Sequence, residues 1–466
     1  MKKVFSELNK TYIALIAICF LSYQQTFARA GGGGGHSSGG HSSGGGFSGG
    51  GHFGGGGFIG GGSSPIIIIL IVIGIIVYFY LKNKTNLFND GNDDSAGDSN
   101  GSGQSLPEGL DSEKIQTAFL SIQEAWQNKD LKKVRKWISD GVYQRFNAQF
   151  AMMNKLGQVN KLSSIRINSI HLSKADVDGN YQTADVSISF TMDDEFISDK
   201  YHSFNQKFRG DSAKEYWTFI KRQDAQTDKN LYDNNNCPNC GAPFDINMGE
   251  ISRCGGCGTL TNNASYDWVL SEITQEDDYS GGNNFSRRYE LQELTKNDSL
   301  FSVQRIEDVA SNIFMQVMEV MSGESDKILT RFSDEETTSS ILKNKKEAGD
   351  FVFDRLYLNN VDLVDFNATG ERLNLNFSLN ATYQRVQAGQ KLTLIDSEMI
   401  TESYRMVLSK NIKALQTAEK ETVFSYECAK CGAPYSDTTN DVCQYCSAPL
   451  IDFNRNWVLT YFNKIN

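Results

Sequence analysis

The chain has 466 residues, a net charge of −11 at pH 7, 39% hydrophobic and 22% charged residues. That length allows two or three domains of ordinary globular composition. The acidic balance argues against a general nucleic-acid surface, which needs a basic footprint.

The N-terminus reads as targeting sequence. Lys2 and Lys3 precede an apolar run from Tyr12 to Leu21, and Ala28-Arg29-Ala30 forms a small-x-small cleavage site. This predicts a signal peptide over 1–30, with an uncleaved first membrane helix as the alternative. Cys19, inside the run, reads as apolar filler. Residues 31–64 hold twenty of the 42 glycines and cannot bury a core. His36, His41 and His52 within them read as solvated spacers. Ile66 to Leu81 is uninterrupted apolar sequence, so 65–81 is predicted as a transmembrane helix. Tyr78 and Tyr80 suit the interface, and Lys82 and Lys84 place the following chain in the cytoplasm. Either fate of the first segment gives this topology. Residues 82–112, rich in Asn, Asp, Gly and Ser, are expected to form a flexible linker.

A folded unit is expected over 113–230. Ile115, Phe119, Ile122 and Trp126 make a helical stripe. Leu131, Val134 and Ile138 predict a second short helix. Val142, Phe146, Phe150 and Met153 predict a third, closed by Gly157. Ala184, Val186, Ile188 and Phe190 alternate with polar residues, and Trp217 and Phe219 begin another strand pattern to Arg222. Helices followed by antiparallel strands imply an α+β class. After a linker at 274–300 the order returns over 301–422. Ile306, Val309, Ile313 and Val317 form the stripe. Leu373, Leu375, Phe377 and Leu379 alternate, and Tyr404, Met406 and Leu408 match the Trp217 region.

Eight of the nine cysteines form two copies of one pattern. Cys237 and Cys240 are followed by Cys254 and Cys257 (231–273). Cys428 and Cys431 are followed by Cys443 and Cys446 (423–463). Cys-Gly-Ala-Pro follows the first knuckle of each copy, and Trp-Val-Leu begins eleven residues past the last cysteine, at Trp268 and Trp457. Two CxxC knuckles supply four thiolates, a closed shell for zinc. Two structural zinc ions are therefore expected, and reduced thiolates agree with a cytoplasmic location. With no open coordination position, the metal is not catalytic. Each Trp-Val-Leu segment is predicted as a buried strand pairing antiparallel with the strand before its ribbon, Tyr216–Arg222 or Tyr404–Lys410.

Catalytic signals are few. His171 and His202 have no counterpart in the second copy and read as structural, and Asp193, Asp194 and Glu195 read as a solvated turn. No phosphate loop, nucleophile elbow or His-Glu-x-x-His occurs, so no catalytic or cofactor-binding residue is assigned beyond the cysteines. Only Arg253 and Lys430 lie inside the knuckle segments, which favours protein packing over nucleic-acid binding.

Phe119 to Trp126 with Asp130 and Leu131, the break at Gly157–Asn160, the strand Val186–Phe190 and Glu215-Tyr-Trp-Thr-Phe-Ile-Lys-Arg222 carry a family resemblance. Over 115–225 the chain resembles the C-terminal domain of the 44 kDa subunit of the mitochondrial inner-membrane translocase, a domain shared by bacterial membrane proteins. The likeness over 302–410 rests mainly on the internal repeat. The resemblance implies a conical α+β fold with a curved antiparallel sheet, related to nuclear-transport-factor and cystatin-like folds. It further implies a bacterial inner-membrane protein: a non-enzymatic scaffold or adaptor in protein transport or membrane-protein assembly. It would hold the bilayer through one helix and meet a protein partner that the sequence does not name. A lipid or small-molecule pocket and a pocket enzyme are the alternatives. The mitochondrial proteins lack the paired ribbons and this N-terminal anchor, so their motor-tethering role does not carry over.

Overall fold

The computed structural model describes residues 105–225, 230–244, 251–281, 285–415, 442–448, 451–454 and 456–465. The predicted signal peptide, glycine tract and membrane span, most of the linker at 82–112, and Cys428 and Cys431 lie outside the described residues. Among the described residues no helix is long and apolar enough to cross a membrane.

The first half opens with α1 (Ser112–Asn128). Asp111 caps it by accepting a hydrogen bond from the Lys114 amide, and Lys129 ends it in the left-handed region. Its buried face holds Ile115, Phe119, Ile122 and Trp126, the stripe expected from the periodicity. The short helix expected at 131–138 is instead a run of turns. Val134 and Arg135 donate to the Leu131 carbonyl, and Ile138 then bridges in parallel to Leu270. Eight residues are too short a run to hold a helix by themselves against that strand contact. Helix α2 (Asp140–Lys155) follows, capped by Ser139, and Gly157 takes φ +63° just beyond it.

Four strands make an antiparallel meander: β1 (Gln158–Asp178), β2 (Tyr181–Ser198), β3 (Gln206–Arg222) and β4 (Val269–Gln275). Phe119 packs on Phe190 and Trp217 with ring centroids 4.7 and 5.5 Å apart. Bulges in β1 at Ser163/Arg166, Ile167/Ser169 and Leu172/Lys174 interrupt its register with β2, and such bulges bend a strand and increase its twist. Asp193, Asp194 and Glu195 lie within β2, not in a turn. Asp194 is buried and accepts a hydrogen bond from Asn160, which itself accepts from the Trp126 indole. His171, in β1, and His202 are exposed.

The second half repeats this order. Residues 274–300 contain α3 (Arg288–Thr295), whose Leu291 is buried. Next come α4 (Val303–Met321), a 3-10 turn at Asp326–Arg331, and α5 (Glu335–Ala348). The second sheet runs β5 (Val352–Thr369), β6 (Arg372–Ala388), β8 (Ile400–Asn411) and β9 (Val458–Lys464), with the short β7 (Leu392–Leu394) beside β6. Ser333 bridges in parallel to Leu459 as Ile138 does to Leu270. Ser302 and Asp334 cap α4 and α5 as Asp111 and Ser139 cap α1 and α2.

The halves interlock. One face of α2 turns to the first core through Val142, Phe146, Phe150 and Met153. Ala148 and Met152, on another face, belong to the core of the second half. Where α2 meets α4, a Cβ on Gly141 would lie 2.6 Å from the Asp308 carbonyl oxygen. Gln149 donates to the Leu356 carbonyl (2.7 Å) and Gln158 to Asp354 (2.7 Å). Asn312 donates to the Asp140 carbonyl (3.0 Å).

Candidate metal centre

Both legs of the first ribbon grow out of the sheet. The chain leaves β3 at Arg222, forms two knuckles and returns as β4. At each knuckle the first cysteine's amide donates to a carbonyl five residues on: Cys237 to Ala242 (2.7 Å) and Cys254 to Thr259 (2.9 Å). The residue after each second cysteine donates back, Gly241 to Cys237 and Gly258 to Cys254. Those glycines take φ +74° and +72°, a region costly for residues with a Cβ. Gly256 is small for a different reason, since a Cβ there would crowd Ala242 at 3.2 Å.

This geometry brings the Sγ atoms of Cys237, Cys240, Cys254 and Cys257 to within 4.8 Å of one another. The Cys237–Cys257 and Cys240–Cys254 separations are 3.7 and 3.8 Å. A tetrahedron with metal–sulfur bonds of ~2.3 Å has sulfur–sulfur edges of ~3.8 Å. The four cysteines can therefore hold a metal ion. One cysteine of each knuckle is buried, Cys237 and Cys254, and one is exposed, Cys240 and Cys257. Thr259 contacts Cys257 Sγ and the Asn239 amide donates to it. These contacts, with Thr259 foremost, bring the Cys257 thiol down to about 6. Burial pushes Cys237 up to about 12, so a bound cation would have to displace a proton held there.

The ribbon is seated on the turns at 131–138. The Ser252 hydroxyl donates to the Arg135 carbonyl, and Lys136 donates to the Asn234 carbonyl while lying 5.7 Å from the Phe244 ring centre. Tyr232 stacks on Trp137 at 4.7 Å and donates to the Trp268 carbonyl. Both Trp-Val-Leu segments reach the strands expected. Val269 pairs with Ile220 and Val458 with Ser409, antiparallel in each case. Trp268 and Trp457 are 0% and 5% exposed.

Only the last knuckle of the second ribbon is described. Cys443 donates to the Ala448 carbonyl (2.9 Å) and Ser447 to Cys443 (2.8 Å). Ser447 takes φ +55°, at the position Gly258 holds in the first copy.

One feature escaped the sequence reading. Lys221 and Lys410 stand one residue before the ends of β3 and β8, yet both are buried. Each ammonium lies 5.7 Å from an indole centre, of Trp268 and Trp457 respectively. Both lysines precede their tryptophan by 47 residues, and that shared spacing was the available signal.

Residues 112–231 match the family model of the Tim44-like domain. This match suggests a membrane-associated, transport-related scaffold. It ends six residues before Cys237, so the cysteine cluster and β4 lie beyond the matched stretch. No curated protein and no solved structure matches the chain.

Proposed function

We propose that the chain is a non-enzymatic scaffold or adaptor for protein transport or membrane-protein assembly, carried on a bacterial inner membrane by the helix at 65–81. Its tandem of Tim44-like units, 113–230 and 301–422, would lie in the cytoplasm, each carrying a zinc ribbon. The observation that carries this reading is the Tim44-like match over 112–231 joined to a closed four-cysteine cluster. A four-thiolate shell leaves no position for water or substrate, so its zinc would be structural. The shared element order and the paired Lys–Trp contacts support treating the second half as a copy of the first. Cavities beside α2, at the seam between halves, measure about 10 and 20 Å³. That is room for about one water molecule each, too little for the lipid or small molecule of the alternative readings at these two places.

Three measurements test the reading. Metal analysis of the purified full chain should give two zinc ions, and Cys240→Ser should remove one. Alkaline phosphatase fused after Asn466 should be inactive, whereas fusion near Gly56 should be active. Crosslinking in cells should then recover one protein partner reproducibly. A metal content near zero in the folded chain, or the reverse fusion pattern, would overturn the assignment.

A further inference from the structure

The two legs of the first ribbon do more than join it to the sheet. The returning leg, with Lys221 of β3, holds residues 105–111, the stretch that precedes the first helix. On the returning leg, the Trp268 indole donates to the Glu108 carbonyl (3.1 Å). The Lys221 ammonium, beside the same ring, reaches that carbonyl at 3.4 Å. Gly109 takes φ +80°, with its Cβ position 3.7 Å from the Trp268 Nε1 atom. Beyond it Leu110 is buried in the first core, and Leu106 packs against that core.

The incoming leg holds the returning one. Asp267 accepts from the Leu231 amide (2.9 Å) and from the Trp268 amide (2.8 Å). The same carboxylate pairs with Lys114 at 2.7 Å, and Lys114 also donates to the Gly109 carbonyl at 2.8 Å. Tyr232 ties the legs again through its bond to the Trp268 carbonyl and lies 5.3 Å from the Lys114 ammonium. Leu231 and Tyr232 stand six and five residues before Cys237, and Trp268 eleven after Cys257. Leu231, Tyr232 and Trp268 are also packed in the first core, so the cross-link between the knuckles would act as a further tie that keeps the legs together.

We propose that the first cysteine cluster is a metal-dependent clamp on residues 105–111. With metal bound, the legs hold the segment against Trp268 and Lys221. When the metal is lost, the legs part and the segment is released, lengthening the tether. Seven freed residues add up to about 25 Å of reach, at ~3.5 Å each. The proposal rests on the reading that these four cysteines hold a metal.

The test uses the full chain in detergent, with metal content measured alongside. Glutamyl endopeptidase cleavage after Glu108 reports release, and hydrogen exchange in β2 and β6 reports the integrity of the two sheets. Chelation, or Cys240→Ser, should raise cleavage at Glu108 about ten-fold or more while β2 and β6 stay protected. Asp267→Asn should raise cleavage with the metal still bound, because it weakens the tie between legs and leaves the cysteines intact. Unchanged cleavage after proven metal loss would overturn the clamp, as would exchange in β2 rising in step with cleavage. A wild-type chain holding no metal at the first ribbon would remove the underlying reading instead.

Discussion

Gln123 is 0% exposed in α1, and among the described residues neither its amide nitrogen nor its amide oxygen has a hydrogen-bond partner. A buried amide in that state costs about 1–3 kcal/mol. Gln123→Leu or Gln123→Met should therefore raise stability by about that amount, read as a higher urea midpoint at unchanged slope. A lowered midpoint would mean that the amide is satisfied in solution. Asp308 presents the opposite case, a polar group richly bonded across the seam. It accepts from the Ser139 hydroxyl at the cap of α2 and from the Gly141 amide, with Asp140 and Arg145 also facing it. Burial still lifts its carboxyl from 3.8 to about 7. Between these values the folded chain holds a proton on Asp308 that the unfolded chain has lost, so the Asp308 contribution to stability falls as pH rises from about 4 to about 7 and is flat above. Glu272, Asp185, Asp278 and Asp362 are raised by burial as well and add slope of the same sign. Asp308→Asn should flatten the wild-type decline between pH 5 and 7.5. Taking the difference between the two proteins cancels the metal sites' own pH dependence. Parallel profiles for variant and wild type would refute the assignment to Asp308.

At the scale of elements, one stripe was legible wherever one face of an element decided its burial. The α1 and α4 stripes, the alternation in β2 and β6 and the paired Trp-Val-Leu strands follow from apolar spacing alone. The second face of α2 did not show, because it is built from Gly141, Gln144, Ala148 and Met152, which are small or polar apart from the methionine. Helix α4 lies between both halves and is buried nearly all round. Its counterpart α1 is buried on one face, and α5, the counterpart of α2, buries only Thr337 and Ile341. Lys343, Lys345, Lys346 and Glu347 give α5 a polar outer face. Strands β1 and β5 were missed because bulges break their alternation, and Arg355 takes φ +51° within β5. For the metal centre, cysteine spacing showed which residues come together in the first copy. It could not show that the ribbon rests on the 131–138 turns, since that contact depends on tertiary packing. Gly141 tests the unseen face of α2. Gly141→Ala would drive its methyl into Asp308 and force α2 and α4 apart. A loss of about 1–3 kcal/mol is expected, with the first metal centre intact. A neutral effect would show that the helices can separate freely.

For the whole molecule, the question is whether two homologous-looking halves behave as one folding unit. The described residues between 105 and 465 fall within a single compact unit. Ala148, Met152, Leu156 and Phe204 of the first half are counted within the second hydrophobic core. Seam hydrogen bonds from Gln149, Gln158 and Asn312 all cross between halves. An interface that mixes apolar burial with bonded polar groups couples its partners strongly, because separating them exposes the one and leaves the other to be resolvated. The full folded region, 105–466, should therefore unfold in one urea transition, seen alike by tryptophan fluorescence and far-UV circular dichroism. A fragment ending at 281 would keep its own sheet and the four cysteines of its ribbon. It would also expose Ala148, Met152, Leu156 and Phe204 to water. That fragment should unfold at a lower urea midpoint than 105–466 and show self-association on size exclusion. If it is monomeric and its midpoint equals that of the longer chain, the halves are independent beads, and the seam is contact without coupling.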